Sequence, residues 1–331
     1  MIATSDIAIL EFLLRGGARR KQGTLVTLTG IIGSSPRALG AQMAVATDGS
    51  FAGSLSGGCL EAAIVAEALA AHSARCPRLV RFGAGSPFID IRVPCGGGLD
   101  LLFNPAPEPQ ALEGVIRSLR DRQPAALALS LAAPFAQQAP PGKPAGWKKG
   151  AFLRPYRPPL RIVALGEGED LAALVRLAAA FGTETIALTP DRLITERLRC
   201  EGHEVVLLET NDRRPGLIGD DRTAIVSLFH DREWEEALLP WLLRLPVFYV
   251  GAVGSRRRHE MRYKMLRRQM PHEDVAARLR MSVGTIPAAR DPSTLALSIL
   301  AQIVAVDAAS AVGERAARDA GDLPNQSIGA H

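Results

Sequence analysis

The sequence predicts an α/β protein in two parts: an N-terminal β-rich α+β domain, then a Rossmann-like, doubly wound parallel-sheet domain. Three observations predict it. The 331 residues amount to about two domains at roughly 150 residues each. Up to residue 133, short apolar runs alternate with glycine turns, the rhythm of a β-rich fold. From residue 160 onward, apolar runs alternate with helix-length segments, and parallel strands need such crossovers.

Taken in order, a helix is expected around Ile2–Leu14, and strands at 25–31, 42–47, 51–55, 79–82, 89–93 and 99–103. CLEAAIVAEALAAH, residues 59–72, is rich in alanine and free of Gly and Pro, which favours one long helix. A helix-plus-strand pair is expected over 110–133, closing a domain at 1–133. Residues 134–159 carry seven prolines. Proline fixes φ and removes a donor, so the segment reads as a Pro-rich, partly extended interdomain linker. In the second domain, residues 160–310, strands are expected in RIVALG, TETIALT, HEVVLLE, TAIVSLF and VFYVGAV. Residues 311–331 are polar and small and read as a flexible tail.

Hydrophobic residues at 47% and charged residues at 22% exclude an intrinsically disordered chain. No uninterrupted apolar run reaches the roughly 18 residues of a membrane span, since Arg176 and Gln302 break the two best runs. Asp6 and Glu11 stand where a signal peptide carries basic residues, so the expectation is a cytoplasmic protein. Cys59, Cys76, Cys95 and Cys200 form no CxxC pair and are expected as reduced thiols. A net charge of +5 admits an anionic ligand without requiring nucleic acid.

The densest motif lies between residues 33 and 61, with Gly33, Ser34, Ser35, Arg37, Ser56, Gly57 and Gly58. Glycines let backbone amides approach an anion, and a helix N-terminus adds unpaired donors. An oxyanion cradle is expected there, against the alternative of tight turns with Ser56 as an ordinary N-cap. Cys59 follows Gly58, and Cys95 precedes Gly96 and Gly97. Thiols so placed are candidates for sulfur chemistry or soft-metal contact, or else small buried hydrophobes. Glu61 is a candidate general acid/base, or a carboxylate that merely complements the helix dipole.

A second motif is FYVGAVGSRRRHEMRYKMLRR, residues 248–268. A strand enters a Gly251/Gly254 turn, and Ser255 is placed to cap a helix opening with Arg256, Arg257 and Arg258. Cations near a helix N-terminus are unfavourable, so a bound anion is expected to offset them. No aromatic platform accompanies them, which argues against nucleic acid. The Gly166–Gly168 loop is half a dinucleotide fingerprint, with Leu171 at the third glycine's place. Glu167, Glu169 and Asp170 put negative charge where a pyrophosphate would sit, so NAD(P) binding is not expected. Asp191 stands near the position of a ribose-binding acid, or opens a helix.

These residues resemble the XdhC/CoxI family of accessory proteins for molybdenum hydroxylases. GSSPRALGAQMAV (33–45), DGSFAGSLSGGCLE (48–61) and PCGGGLDLLF (94–103) carry the resemblance in the first half. DRTAIVSLFHD (221–231), YVGAVGSRRR (249–258) and DPSTLALSILAQI (291–303) carry it in the second. The resemblance implies a dimeric chaperone, not a turnover enzyme. Such a protein binds molybdenum cofactor transiently, as molybdopterin or its cytosine dinucleotide. It favours the cofactor's sulfuration with a cysteine desulfurase and passes it to an apo-hydroxylase. The alternative is an NAD(P)-dependent oxidoreductase built on the second domain. The sequence departs from the family pattern where Glu169 replaces a histidine, Thr294 a glutamate and Ala288 a glycine.

Overall fold

The computed structural model describes residues 5–18, 23–58, 60–86, 96–212, 214–281 and 283–321. The chain divides into two compact units, Met1–Pro158 and Pro159–His331.

The first unit opens with α1 (Asp6–Ala18), β1 (Thr24–Ile32), β2 (Gln42–Val45), β3 (Phe51–Gly53), α2 (Glu61–Ala74) and β4 (Arg78–Gly83). It continues with β5 (Gly98–Pro105), α3 (Pro109–Arg120), β6 (Ala125–Ser130), β7 (Ala136–Ala139), β8 (Gly146–Lys148) and β9 (Ala151–Tyr156). An antiparallel sheet runs β3-β2-β1-β5-β4. Strand side chains alternate between faces, and β1 serves two cores in this way. Val26 and Leu28 pack with Leu60 and Ile64 beside α2, whereas Leu25 joins Leu10, Val115 and Phe152 beside α1 and α3. The expected strand at 89–93 lies outside the described residues.

The segment expected as a linker is folded. Residues 136–156 supply β7, β8 and β9, which join β6 in a four-stranded sheet ordered β7-β6-β9-β8. Most of its prolines sit outside the strands. Pro155 lies within β9, opposite Ala126 of β6 and beyond the Gly146–Leu153 pair where β8 stops. A proline is tolerated where a strand has a free edge, because its missing donor is not needed there.

The second unit contains β10 (Arg161–Leu165), α4 (Gly168–Phe181), β11 (Glu184–Thr189), α5 (Arg192–Cys200), β12 (Glu204–Leu207) and β13 (Thr223–Ser227). After these come α6 (Arg232–Leu242), β14 (Tyr249–Ala252), α7 (Arg256–Gln269), α8 (Val275–Arg278), β15 (Leu279–Arg280) and α9 (Pro292–Gly321). The sheet is parallel throughout, in the order β12-β11-β10-β13-β14-β15. Chain direction across the sheet reverses between β10 and β13, the switch point where doubly wound folds bind ligands. Ile162 and Val226 face a core with α4 and α9, while Val163 and Ile225 face one with α6 and α7. Burial on both faces explains why these strands read as continuous apolar runs.

The segment expected as a flexible tail from residue 311 is helical as far as Gly321, and residues 322–331 lie outside the described residues. Pro292–Ser310 of α9 is long and apolar enough to cross a membrane by length and composition. Its Ala296, Ile299, Leu300 and Ile303 are buried in the core against α4.

Candidate functional site

The first sheet brings most of the N-terminal motif to one end. Gly98 pairs with Ile32 on one side and with Gly83 on the other, and Gly53 pairs with Met43. The loops after β1, after β3 and between β4 and β5 therefore leave the same end of the sheet. A Cβ on Gly97 would stand 2.5 Å from the Ser34 carbonyl oxygen, so only glycine lets these two loops touch. The Arg37 Nε donates to the Ser54 carbonyl at 3.0 Å, and the Ser35 hydroxyl to the Arg37 carbonyl at 2.8 Å. Gly33, Ser34, Arg37 and Gly97 are thus gathered, with Gly96 in the left-handed region at φ +67° beside them.

The Ser56-Gly57-Gly58 hinge departs from the expected cradle. Its amides already hold an anion, the carboxylate of Glu61. That group accepts from the Ser56 amide at 3.1 Å, the Gly58 amide at 2.8 Å and the Leu60 amide at 3.2 Å. It also accepts from the Ser54 hydroxyl at 2.7 Å and from the Ser56 hydroxyl. The Gly57 amide donates to Ser54 Oγ at 3.2 Å. Positive φ values of +77° at Gly57 and +118° at Gly58 fold the loop around the carboxylate. Ser56 is not the N-cap of α2 either, since Leu60 holds that place.

Glu61 is therefore a clamp and not a general acid/base. Burial pushes its pKa up, but hydrogen bonds from the Ser56 and Ser54 hydroxyls and from backbone amides outweigh it and hold the pKa at about 2. Such a group stays ionised and keeps its lone pairs engaged.

Cys59 and Cys95 lie outside the described residues. Cys76 and Cys200 are exposed free thiols. Among the described residues no three His, Cys, Asp or Glu side chains gather in a way that holds a metal.

At the second motif Ser255 caps α7 as expected, accepting from the Arg258 amide at 3.3 Å. Packing alone requires glycine at Gly251, because a Cβ there would meet the Tyr249 ring at 2.8 Å and Val283 at 2.9 Å. Arg258 is held by the His230 carbonyl at 2.6 Å and by Glu235 at 3.2 Å. Beneath it, Glu235 pairs with Arg262 at 2.5 Å, their side chains only 4% and 1% exposed. Arg262 also donates to the carbonyls of Ala252 and Val253, which fixes the turn. Sequence reasoning missed this pair. Its partners are 27 residues apart, and the only local signal is that Arg262 lies one turn from buried Leu266 on the inner face of α7.

Arg256 and Arg257 remain exposed, and both face cavities. A cavity of about 710 Å³ at the carboxyl edge of β14 and β15 is lined by Val253, Gly254, Arg256, His259, Tyr263 and Met281, among others. A smaller one of about 170 Å³ is lined by His230, Ser255, Arg257 and Met261, among others. At the β10–α4 turn, Glu169 pairs with Arg197 at 2.7 Å, and Asp170 lies 3.8 Å from His230. Asp191 accepts from the Leu193 amide at 2.9 Å and the Ile194 amide at 3.1 Å, capping α5 as the second of its two expected roles.

Residues 162–303 match the family described as the XdhC Rossmann domain, and residues 18–83 match the family described as XdhC and CoxI. The chain is 34% identical over 298 residues to the molybdenum cofactor insertion chaperone PaoD of Escherichia coli (strain K12), covering 90% of this chain and 87% of PaoD. It is 26% identical over 288 residues to YqeB of the same organism, described as uncharacterized, covering 83% of this chain and 41% of YqeB. A crystal structure of a xanthine dehydrogenase from Bacillus halodurans superposes with a TM-score of 0.73, covering 91% of this chain and 95% of that one. At 24% identity that likeness shows the fold alone.

Proposed function

The chain belongs to the XdhC and CoxI family, and from that premise we propose that it carries molybdenum cofactor and inserts it into a molybdenum hydroxylase. One observation carries the reading: likeness to an insertion chaperone along 90% of the chain. The geometry supports it in two places. The loop end of the first sheet gathers Gly33, Ser34, Arg37, Gly96 and Gly97 on one surface. The N-terminus of α7 presents Gly254, Ser255, Arg256 and Arg257. The cofactor is an anionic pterin dithiolene, and its phosphate suits a helix start with two exposed cations.

The finer reading keeps Cys59 and Cys95 as the thiols that meet the sulfur or metal end of the cargo. Glu61 shapes the hinge on which Cys59 sits in sequence and does not itself touch the cargo. Sulfuration with a cysteine desulfurase, transient holding of the cofactor, a homodimer and a cytoplasmic location belong to the same proposal. The NAD(P) alternative needs a free acid after β11, and Asp191 is engaged as a cap.

The test is direct. Purified protein is mixed under anaerobic conditions with cofactor released from a molybdenum enzyme and passed through gel filtration. Pterin should elute with the protein, and elution of all pterin in the small-molecule fractions would overturn the reading.

A further inference from the structure

The cavity beside α7, about 710 Å³, has the size of a small-molecule site, roughly 300–1,000 Å³. It lies at the ends of β14 and β15, away from the β10–β13 switch point. One wall is a single helix face. Arg256, His259, Glu260 and Tyr263 recur at i, i+3, i+4 and i+7, the spacing that aligns side chains along a helix. Val253, Met281 and Val283 supply the apolar lining.

Opposite charges at i and i+4 commonly pair. Among the described residues, however, neither the Arg256 nor the Glu260 side chain has a hydrogen-bond or ion-pair partner. The wall thus offers an open cation and an open double acceptor about 6 Å apart along the axis. His259 adds no charge. Burial and the neighbouring Arg262 lower its pKa, so the ring is neutral near pH 7. Its Nδ1 lies 2.8 Å from Arg262 Nη1. A guanidinium only donates, so Nδ1 accepts and the proton is assigned to Nε2. Tyr263 is steadied by Arg267, whose guanidinium carbon lies 5.8 Å from the ring centroid.

We propose that this cavity takes a flat heterocycle with a 2-amino-4-oxo-pyrimidine edge and a nearby anionic group. That edge presents two adjacent N–H donors, which one carboxylate accepts together. An adenine or cytosine edge sets a ring acceptor beside its amino group, which a carboxylate repels. Glu260 receives the two donors, Tyr263 and Met281 flank the ring plane, and Arg256 meets the anion. A pterin and a guanine share this edge. The assignment rests on the cofactor-carrier reading and deepens it, placing the pterin end of the cargo at α7.

The experiment uses the full chain and follows the fluorescence anisotropy of pterin-6-carboxylate. The wild type should bind it, and Glu260→Gln should weaken binding about tenfold, the worth of a hydrogen bond to a charged group. Arg256→Gln should weaken pterin-6-carboxylate and leave uncharged 6-hydroxymethylpterin unchanged. GMP should compete if guanine is also accepted, whereas AMP should not. Wild-type affinity in both variants, or competition by AMP equal to that by GMP, would overturn the assignment. Glu260→Gln that loses the pterin probe yet retains whole cofactor on gel filtration would place the cargo elsewhere and leave the carrier reading standing. A wild type that binds the probe but retains no cofactor would remove the carrier reading and keep the heterocycle site.

Discussion

Gly58 donates its amide to the Glu61 carboxylate at 2.8 Å, so the glycine hinge closes on an anion from its own chain. Ser56 and Leu60 add their amides to the same group. The sequence pattern that looks like a vacant phosphate cradle is, in the folded chain, a filled one.

Removing that carboxylate leaves several donors without a partner. Glu61→Ala should destabilise the first unit by about 3 kcal/mol, given the cost of unsatisfied buried groups. Glu61→Gln, which keeps one acceptor oxygen, should cost less. Chemical denaturation of both variants beside the wild type checks the order.

The same group predicts an acid response. Its folded pKa of about 2 lies below the ordinary 4.5, so its contribution is complete above pH 4.5 and fades as pH falls toward 2. The wild type should lose stability across that window faster than Glu61→Ala. Parallel slopes in thermal melts between those limits would remove the clamp.

The buried pair under α7 should behave differently from a surface pair. Glu235→Ala leaves Arg262 charged and buried, and should cost about 3–5 kcal/mol. The double variant Glu235→Leu with Arg262→Met should recover most of that loss, because the fully buried guanidinium leaves with its carboxylate, while the more exposed Arg258 keeps the His230 carbonyl. Urea unfolding of Glu235→Leu, Arg262→Met and the double variant reads the coupling directly.

Ala288 holds a left-handed backbone at φ +54° where the family pattern has glycine. In that conformation the alanine carries a strain of about 1–2 kcal/mol. Ala288→Gly should raise stability by about 1 kcal/mol, with part of the relief offset by the greater freedom of glycine when unfolded. A rise in melting midpoint with unchanged cofactor retention is the expected result.

The parallel sheet was legible because strands such as RIVAL and TAIVS are buried on both faces and read as unbroken apolar runs. The fold of residues 134–159 was hidden because composition counts prolines without knowing which strand edges are free. Pro155 is harmless where β8 has ended, a fact of pairing and not of sequence. The density of glycines in 33–61 was legible as a motif, but the closeness of Gly97 to Ser34 was not, since only the pairing of β1 with β5 brings the two segments together. The role of Glu61 was not, because first-turn carboxylates commonly serve the helix dipole. Only the fold-back of the Ser54–Leu60 loop turns it into a clamp. Glu235 and Arg262 meet through tertiary packing, and neither neighbourhood names the other.

Gly97→Ala would push a Cβ to within 2.5 Å of the Ser34 carbonyl and separate the two loops. If that end of the sheet holds cargo, the variant should retain several-fold less cofactor while the second unit stays folded. Circular dichroism alongside the gel-filtration assay separates the two effects.

Mass spectrometry of the organic species released when the anaerobically purified protein is denatured tests the central claim most directly. A molybdopterin-derived mass, with or without a cytosine nucleotide, should appear in proportion to the protein. Release of a nicotinamide dinucleotide instead, or of no pterin after expression in a cofactor-producing host, would contradict the account.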